Sequence, residues 1–283
     1  MGANSKIEWC RHSFSPWEGC ERVSRACAHC YAAERDKHWH GGRHWGIASE
    51  RLLHTDAYWR QPIRWNREAL AAGERHRVFC ASLSDVFEDR RDLDQERCRL
   101  FALIEQTPSL TWMLLTKRPE NIVRMIADVD AVLSGIRNDG ERDRVAVRHE
   151  AESGFRSLLS PDVAPRPLER VRRLWLGVTF DDKGPERLDA LAQIPARIRF
   201  VSLEPLLAPV NLRPWLERSV LDWVIVGAES GPRARPMNED WVRALRDQCV
   251  TANVPFFYKQ RIVGGRKLSL PELDGRRWTE VPK

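Results

Sequence analysis

The chain has 283 residues, a length that serves either one α/β barrel or two smaller domains. Hydrophobic residues make up 42% and charged residues 30%, and no apolar stretch nears the ~18 residues of a membrane span, so a soluble protein is expected. The formal charge of +6 fits a polyanionic partner such as nucleic acid, and seven cysteines, an odd number, argue against a disulfide framework.

In chain order, a strand is expected near residues 13–17, followed by a loop at 18–32 that carries Cys20, Cys27 and Cys30. The run from His38 to Trp45 comes next. Its histidines fit no standard zinc spacing, and its alternation of aromatic, basic and glycine residues suits a surface loop or one that grips nucleic acid. Trp9, Trp17, Trp39, Trp45, Trp59 and Trp65 sit beside polar residues and offer stacking surfaces for bases, although core packing accounts for most tryptophans. Beyond them, short apolar runs recur at 78–83, 111–115, 174–178, 198–203, 223–226 and 254–258, each followed by polar residues rather than by a hairpin signal. Runs without strict alternation suit parallel strands covered on both faces.

Parallel strands require crossovers, and helical spacing appears between the runs. Leu93, Leu100, Phe101 and Ile104 share one face of a segment starting near Asp92, and Trp241, Val242, Leu245 and Cys249 share one after Asp240, with Asn238 as its cap. A shorter helix is expected at 185–193, with Pro185 in its first turn. The repeating unit predicts a single parallel (β/α) barrel over 1–283, partial, with six to seven strands. Residues 128–168, rich in Arg, Asp and Glu, break the rhythm and read as a charged helical insertion or lid. Residues 264–283 have few apolar side chains and read as loop and turns.

The cysteines follow the pattern C-x6-C-x2-C. Three thiolates on one short loop suit three irons of a [4Fe-4S] cubane and leave the fourth open. Zinc is the competing reading, with His29 or His12 completing a tetrahedral site, and Cys10 is a candidate fourth ligand that would close a cluster. A structural zinc module normally brings a second ligand pair downstream, and none follows here.

Several stretches carry a family resemblance: Lys6-Ile-Glu-Trp9, Gly19-Cys20 through Cys30-Tyr31-Ala, Ser82-Leu-Ser-Asp-Val-Phe87, Leu115-Thr-Lys-Arg-Pro119, Trp175-Leu-Gly-Val178, the segments 199–207 and 222–231, and Pro255-Phe-Phe-Tyr-Lys-Gln260. Through them the chain resembles the radical S-adenosylmethionine (SAM)-like proteins grouped as a phage protein family of unknown function. The resemblance implies a barrel of radical SAM type with two cofactors, a [4Fe-4S] cluster on Cys20, Cys27 and Cys30 and SAM on its open iron. It also implies a 5′-deoxyadenosyl radical and a reductant protein such as flavodoxin or ferredoxin. The first spacing departs from the commonest radical SAM loop, having six residues where that loop has three. Residues 1–7 carry no secretion signal, so the cytoplasm is expected, that of the host if the gene is a phage's.

Barrel chemistry sits at the C-terminal ends of the strands, and the residues there form a polar ring. It comprises Ser82, Ser84 and Asp85; Thr116, Lys117 and Arg118; Thr179 and Asp181; Ser202 and Glu204; Glu229 and Ser230; and Lys259 and Gln260. By the resemblance, Ser82 and Ser84 would meet the amino group of SAM, with Asp85 beside them in the ring. Lys117 would meet its carboxylate, Thr179 or Asp181 its ribose, and Gly227 its adenine. Glu204, Glu229 and Lys259 are the candidates for substrate contact or proton transfer. The expected enzyme acts on a nucleobase or modified nucleobase in DNA or a nucleotide, in its sharpest form as an isomerase of amino-acid-modified thymine in phage DNA. The alternatives are a nucleic-acid-binding protein stapled by metal, without SAM chemistry, and a radical SAM lyase of DNA lesions like the spore photoproduct lyases.

Overall fold

The computed structural model describes residue 2 and residues 5–138, 167–231 and 234–283. Its main sheet has eight strands in the spatial order β1 (His12–Ser13), β4 (His76–Cys80), β5 (Leu110–Thr116), β6 (Trp175–Thr179), β7 (Ile198–Leu203), β8 (Trp223–Gly227), β9 (Phe256–Val263), β10 (Arg266–Ser269). From β4 onward every neighbour in space is also the next strand in sequence. Such an order curls a sheet toward a barrel instead of doubling it back, and the result is a half-barrel. All pairs are parallel except β9 with β10. The two remaining small ladders join β2 (Trp17–Glu18) to β3 (Leu52–Leu53), and β11 (Glu272–Leu273) to β12 (Arg276–Arg277).

The two-residue period of each strand divides its side chains between two faces. Val78, Leu114, Leu176, Val201, Val224 and Phe256 point to the helical side, in one apolar cluster with Trp65, Ile122, Leu188 and Leu245. Their neighbours Phe79, Met113, Trp175, Phe200, Trp223 and Phe257 form a second cluster on the inner face, with Trp9 packed among them. Trp9 meets Phe79 at 4.6 Å and Trp223 at 6.0 Å between ring centroids, both edge to face. Continuing the same period toward the strand ends leads from this aromatic floor to Lys117, Thr179, Glu204, Gly227 and Lys259. The alternation therefore puts the polar residues at the mouth on the inner face.

Helices α1 (Tyr31–His40), α2 (Asp56–Trp59) and α3 (Gln61–Ala71) precede β4, and α4 (Asp94–Gln106) links β4 to β5. Helices α5 (Ile122–Asn138) and α6 (Pro167–Arg173) lie between β5 and β6, α7 (Gly184–Ala192) follows β6, α8 (Arg213–Leu216) follows β7 and α9 (Glu239–Thr251) follows β8. The Asn238 side chain caps α9 by accepting from the Asp240 amide at 2.9 Å, as expected.

Three expectations require correction. The first parallel strand is His12–Ser13, and Trp17–Glu18 leaves the sheet to pair with Leu52–Leu53, because the turn between them redirects the chain. Residues 128–138 are not part of an insertion but the second half of α5, where Val129 and Leu133 continue the buried stripe of Ile122, Met125 and Ile126. The rest of the expected lid, 139–166, lies outside the described residues. The tail is not merely loop: Gly264 and Gly265, both with positive φ, turn the chain back along β9 to make β10. Farther on, the Tyr258 amide donates to the Trp278 carbonyl at 2.8 Å and the Trp223 indole to the Glu280 carbonyl at 2.8 Å.

Candidate functional site

The cysteine loop lies over the C-terminal ends of the strands and is tied to them at several points. The Ser24 hydroxyl donates to the Asp181 carboxylate at 2.7 Å, beyond β6. The Tyr31 hydroxyl, at the start of α1, donates to the Ser82 carbonyl at 2.6 Å, beyond β4. Arg118, beyond β5, donates through Nη1 to Cys20 Sγ at 3.7 Å and through Nη2 to the Glu21 carbonyl at 3.3 Å. Between Cys20 and α1 the chain makes a 3-10 turn, Arg25–His29, in which the Cys27 amide donates to Ser24 and the Cys30 amide to Cys27. Gly19, at φ 117°, lets the chain enter this loop: a Cβ there would stand 2.3 Å from the His44 carbonyl oxygen.

All three loop cysteines are free thiols of intermediate exposure, whereas Cys10, Cys80, Cys98 and Cys249 are buried. The surroundings treat the three differently. Burial and the Asp85 carboxylate push Cys20 up to about 12, against the pull of Arg118. At Cys27 burial also raises the pKa, but the Ser24 hydroxyl, the Val23 backbone and Lys117 more than offset it, so this thiol sits below its ordinary value. Cys30 is raised, chiefly by burial. Cys27 is therefore the thiol readiest to ionise, and Lys117 favours ionisation at both Cys27 and Cys30.

Of the remaining ligand candidates, His29 is exposed within the loop itself, at the end of the 3-10 turn, and the others lie elsewhere. Cys10 packs in the inner aromatic cluster, its thiol 3.7 Å from the Ile7 carbonyl. His12 stacks on Trp65 and shares a 3.1 Å contact with His76. Among the described residues, no three His, Cys, Asp or Glu side chains are grouped as ligands of one ion. A cubane distributes its protein ligands over separate irons, and the donor set itself, three thiols on one loop and none in a disulfide, fits that group.

Around the loop the polar ring resolves into four ionic groups. Asp85 accepts from the Thr116 hydroxyl at 2.7 Å, the Lys117 amide at 3.0 Å and Arg118 at 3.0 Å. Burial disfavours the Arg118 cation, yet Asp85 and Cys20 more than offset this and its pKa is raised. Asp181 accepts from Ser24, from Lys117 Nζ at 2.7 Å and from Arg187 at 2.5 Å. Burial would raise its pKa, but Arg187 and Lys117 hold it well below the usual carboxylate range. These two carboxylates are saturated by protein partners and organise the mouth, leaving little capacity for a ligand.

The third group is more open. Lys259 Nζ donates to Glu204 at 2.6 Å, and these side chains are 14% and 17% exposed. A Cβ on Gly227 would stand 3.1 Å from Glu204 and 3.2 Å from Gln260, so this glycine makes room for both. In the fourth, Glu229 forms a two-pronged pair with Arg235, whose guanidinium lowers its pKa. Two enclosed polar atoms in the ring, Ser84 Oγ and Gln260 Oε1, lack a protein partner, and so does Arg187 Nη2. Buried polar atoms are ordinarily satisfied, so such atoms at the mouth are suited to meet a bound molecule.

Ser82, Ser84, Asp85, Lys117, Asp181 and Glu204 thus stand with the cysteine loop at one mouth. Ser24, Tyr31, Arg187 and Arg235 were not singled out from the sequence. Ser24 and Tyr31 flank the cysteines and could have been marked by that position, whereas Arg187 and Arg235 sit on a helix and a loop with nothing to distinguish them from surface arginines.

Fold and site together define a parallel half-barrel protein with a three-cysteine loop seated on the C-terminal ends of its strands. Over residues 4–282 the chain matches the family described as "Protein of unknown function (DUF5131)", and it belongs to that family. No curated protein and no solved structure matches it.

Proposed function

We propose that this protein is a radical SAM enzyme acting on a nucleobase or modified nucleobase. The observation that carries the reading is the seating of three free thiols of one loop on the mouth of a parallel half-barrel, through Ser24 to Asp181, Tyr31 to Ser82 and Arg118 to Cys20. Cys20, Cys27 and Cys30 would hold a [4Fe-4S] cluster. With SAM on its open iron, the cluster would supply a 5′-deoxyadenosyl radical for hydrogen abstraction.

The protein's own residues have definable tasks in this reading. Lys117 and Arg118 bring positive charge to the thiols and favour the thiolate form that iron requires. Ser24 and Tyr31 fix the loop before any ligand arrives, which spares the ordering of a mobile segment. Ser84 Oγ and Gln260 Oε1 are the unpartnered polar atoms available to SAM or substrate. Glu204 and Lys259 form the accessible acid and base pair of the mouth, able to hold a proton or meet an anionic group of the substrate. Amino-acid-modified thymine in DNA is the sharpest candidate substrate, and a flavodoxin or ferredoxin the electron source.

The test is anaerobic reconstitution followed by iron and sulfide analysis, EPR of the reduced protein with and without SAM, and assay for 5′-deoxyadenosine. About four irons per chain, a reduced signal perturbed by SAM and formation of the nucleoside are expected. A reduced signal indifferent to SAM sinks the proposal.

A further inference from the structure

The stretch from α1 to β3 departs from the burial pattern of the rest of the chain. Among the described residues, four of the nine exposed large apolar side chains fall within residues 31–53: Tyr31 at 50%, Trp39 at 69%, Ile47 at 82% and Leu53 at 51%. Most tryptophans here serve the core, and Trp9, Trp17, Trp59 and Trp65 are all buried. Trp45 and Trp241 are half-buried, and among the described residues Trp39 is the one exposed tryptophan. It is braced by the His38 ring, edge to face at 4.9 Å between centroids, so its indole is presented to solvent at a defined angle.

The charges around it favour a polyanion. On α1 and the turn after it, the exposed cations are Arg35, Lys37 and Arg43, of which Arg35 is paired with Glu18 at 2.7 Å, against one exposed carboxylate, Glu34. Asp36 does not count toward this surface: it is 2% exposed and occupied by the His44 ring at 2.7 Å and the His44 amide at 3.1 Å. Arg51 clamps the turn from below. It donates to the carbonyls of His44, Gly46 and Ser49 and forms a buried two-pronged pair with Glu88. The platform is therefore held rigidly, and α1 leads from it directly to Cys30. At the rise of an α-helix, Trp39 stands about 12 Å along the axis from Tyr31.

An exposed, braced indole flanked by cations is the arrangement by which proteins hold single-stranded nucleic acid, stacking a base and tracking its phosphates. We propose that the solvent-exposed C-terminal end of α1 and the turn after it dock single-stranded nucleic acid and lead it toward the mouth of the half-barrel, with Trp39 as base-stacking platform and with Lys37, on the opposite flank of the helix, and Arg43, in the turn, as phosphate contacts. This deepens the nucleobase reading above and rests on it only for the substrate class.

The test is fluorescence anisotropy with a labelled single-stranded deoxyoligonucleotide and the full chain, with no cofactor required. Trp39→Ala is expected to weaken binding about tenfold, the order typical of one stacked base. Lys37→Gln with Arg43→Gln should lower the log-log salt slope by about 1.4, the value for two phosphate contacts on a single strand. Leu70→Ala, an exposed apolar truncation outside this face, should change neither. Failure of the wild-type chain to bind, wild-type affinity in Trp39→Ala, or equal displacement by polyglutamate, which has charge but no bases, would each overturn the proposal. The EPR experiment can succeed while this one fails, so the two readings fall separately.

Discussion

Arg118 is the residue on which most of the mouth converges, and its consequences can be weighed. It is 4% exposed and joins Asp85, Cys20 and Glu21. Removing one partner of a buried pair leaves an uncompensated charge, here on Asp85, and such losses cost about 3–5 kcal/mol. Arg118→Leu is accordingly expected to lower the unfolding free energy by about 3 kcal/mol in urea titration. Arg118→Lys should recover only part, since an ammonium cannot reproduce the planar fork that spans Asp85 through Nη1 and Glu21 through Nη2. A leucine variant that melts at the wild-type urea midpoint would show that the pair contributes no stability. At this scale the sequence was half legible. Polar residues after each apolar run marked the mouth, because a strand end is where buried chain meets solvent. Which of them would be consumed by one another was not legible: Asp85 and Asp181 look like ligand residues in sequence, and only the fold brings Arg118 and Arg187 to saturate them.

The strands illustrate why some elements could be read and others could not. Runs such as Trp175–Thr179 and Trp223–Gly227 are buried at every position, so their apolar continuity announced them. β10 is exposed at all four positions and rests on its hydrogen bonds to β9, and the single Leu268 in Arg-Lys-Leu-Ser makes no apolar run. The stripe of α5 was present but overlooked, since Asp128 and Asp130 interleave with Ile126, Val129 and Leu133. Within β6, Gly177 has a packing role that its neighbours define. A Cβ there would lie 2.3 Å from the Phe200 ring of β7, inside van der Waals contact. Gly177→Ala should therefore destabilise by about 1–3 kcal/mol through overpacking. Because the clash is with one ring, Phe200→Leu in the same chain should relieve part of it, and a double-mutant cycle in urea should return a coupling of about 1 kcal/mol. Strict additivity of the two substitutions would place the clash elsewhere.

At the scale of the molecule, the half-barrel keeps its two ends chemically distinct, with the ionic mouth at the strands' C-terminal ends and a buried histidine pair at the opposite end. His76 opens β4 and lies beside His12 of β1, with Nε2 3.1 Å from Glu74. His12 is 1% exposed and stacked on Trp65, with ring centroids 4.4 Å apart and planes 2° apart. Burial, then the neighbouring His76, pushes its pKa down to about 4. The unfolded chain takes up this proton near pH 6.5 while the folded chain resists until about 4, so in that window the unfolded state binds more protons. Stability from this group is thus complete above pH 6.5 and declines as the pH falls toward 4, by up to about 3 kcal/mol. Asp181 adds a separate loss at lower pH. Its depressed pKa contributes stability above the ordinary carboxylate range, and that stability disappears only on further acidification. Urea midpoints measured from pH 7 to pH 4 should therefore fall for the wild-type chain and fall less steeply for His12→Gln, whose amide takes up no proton. Parallel curves for the two proteins across that window would remove His12 as the source of the acid sensitivity.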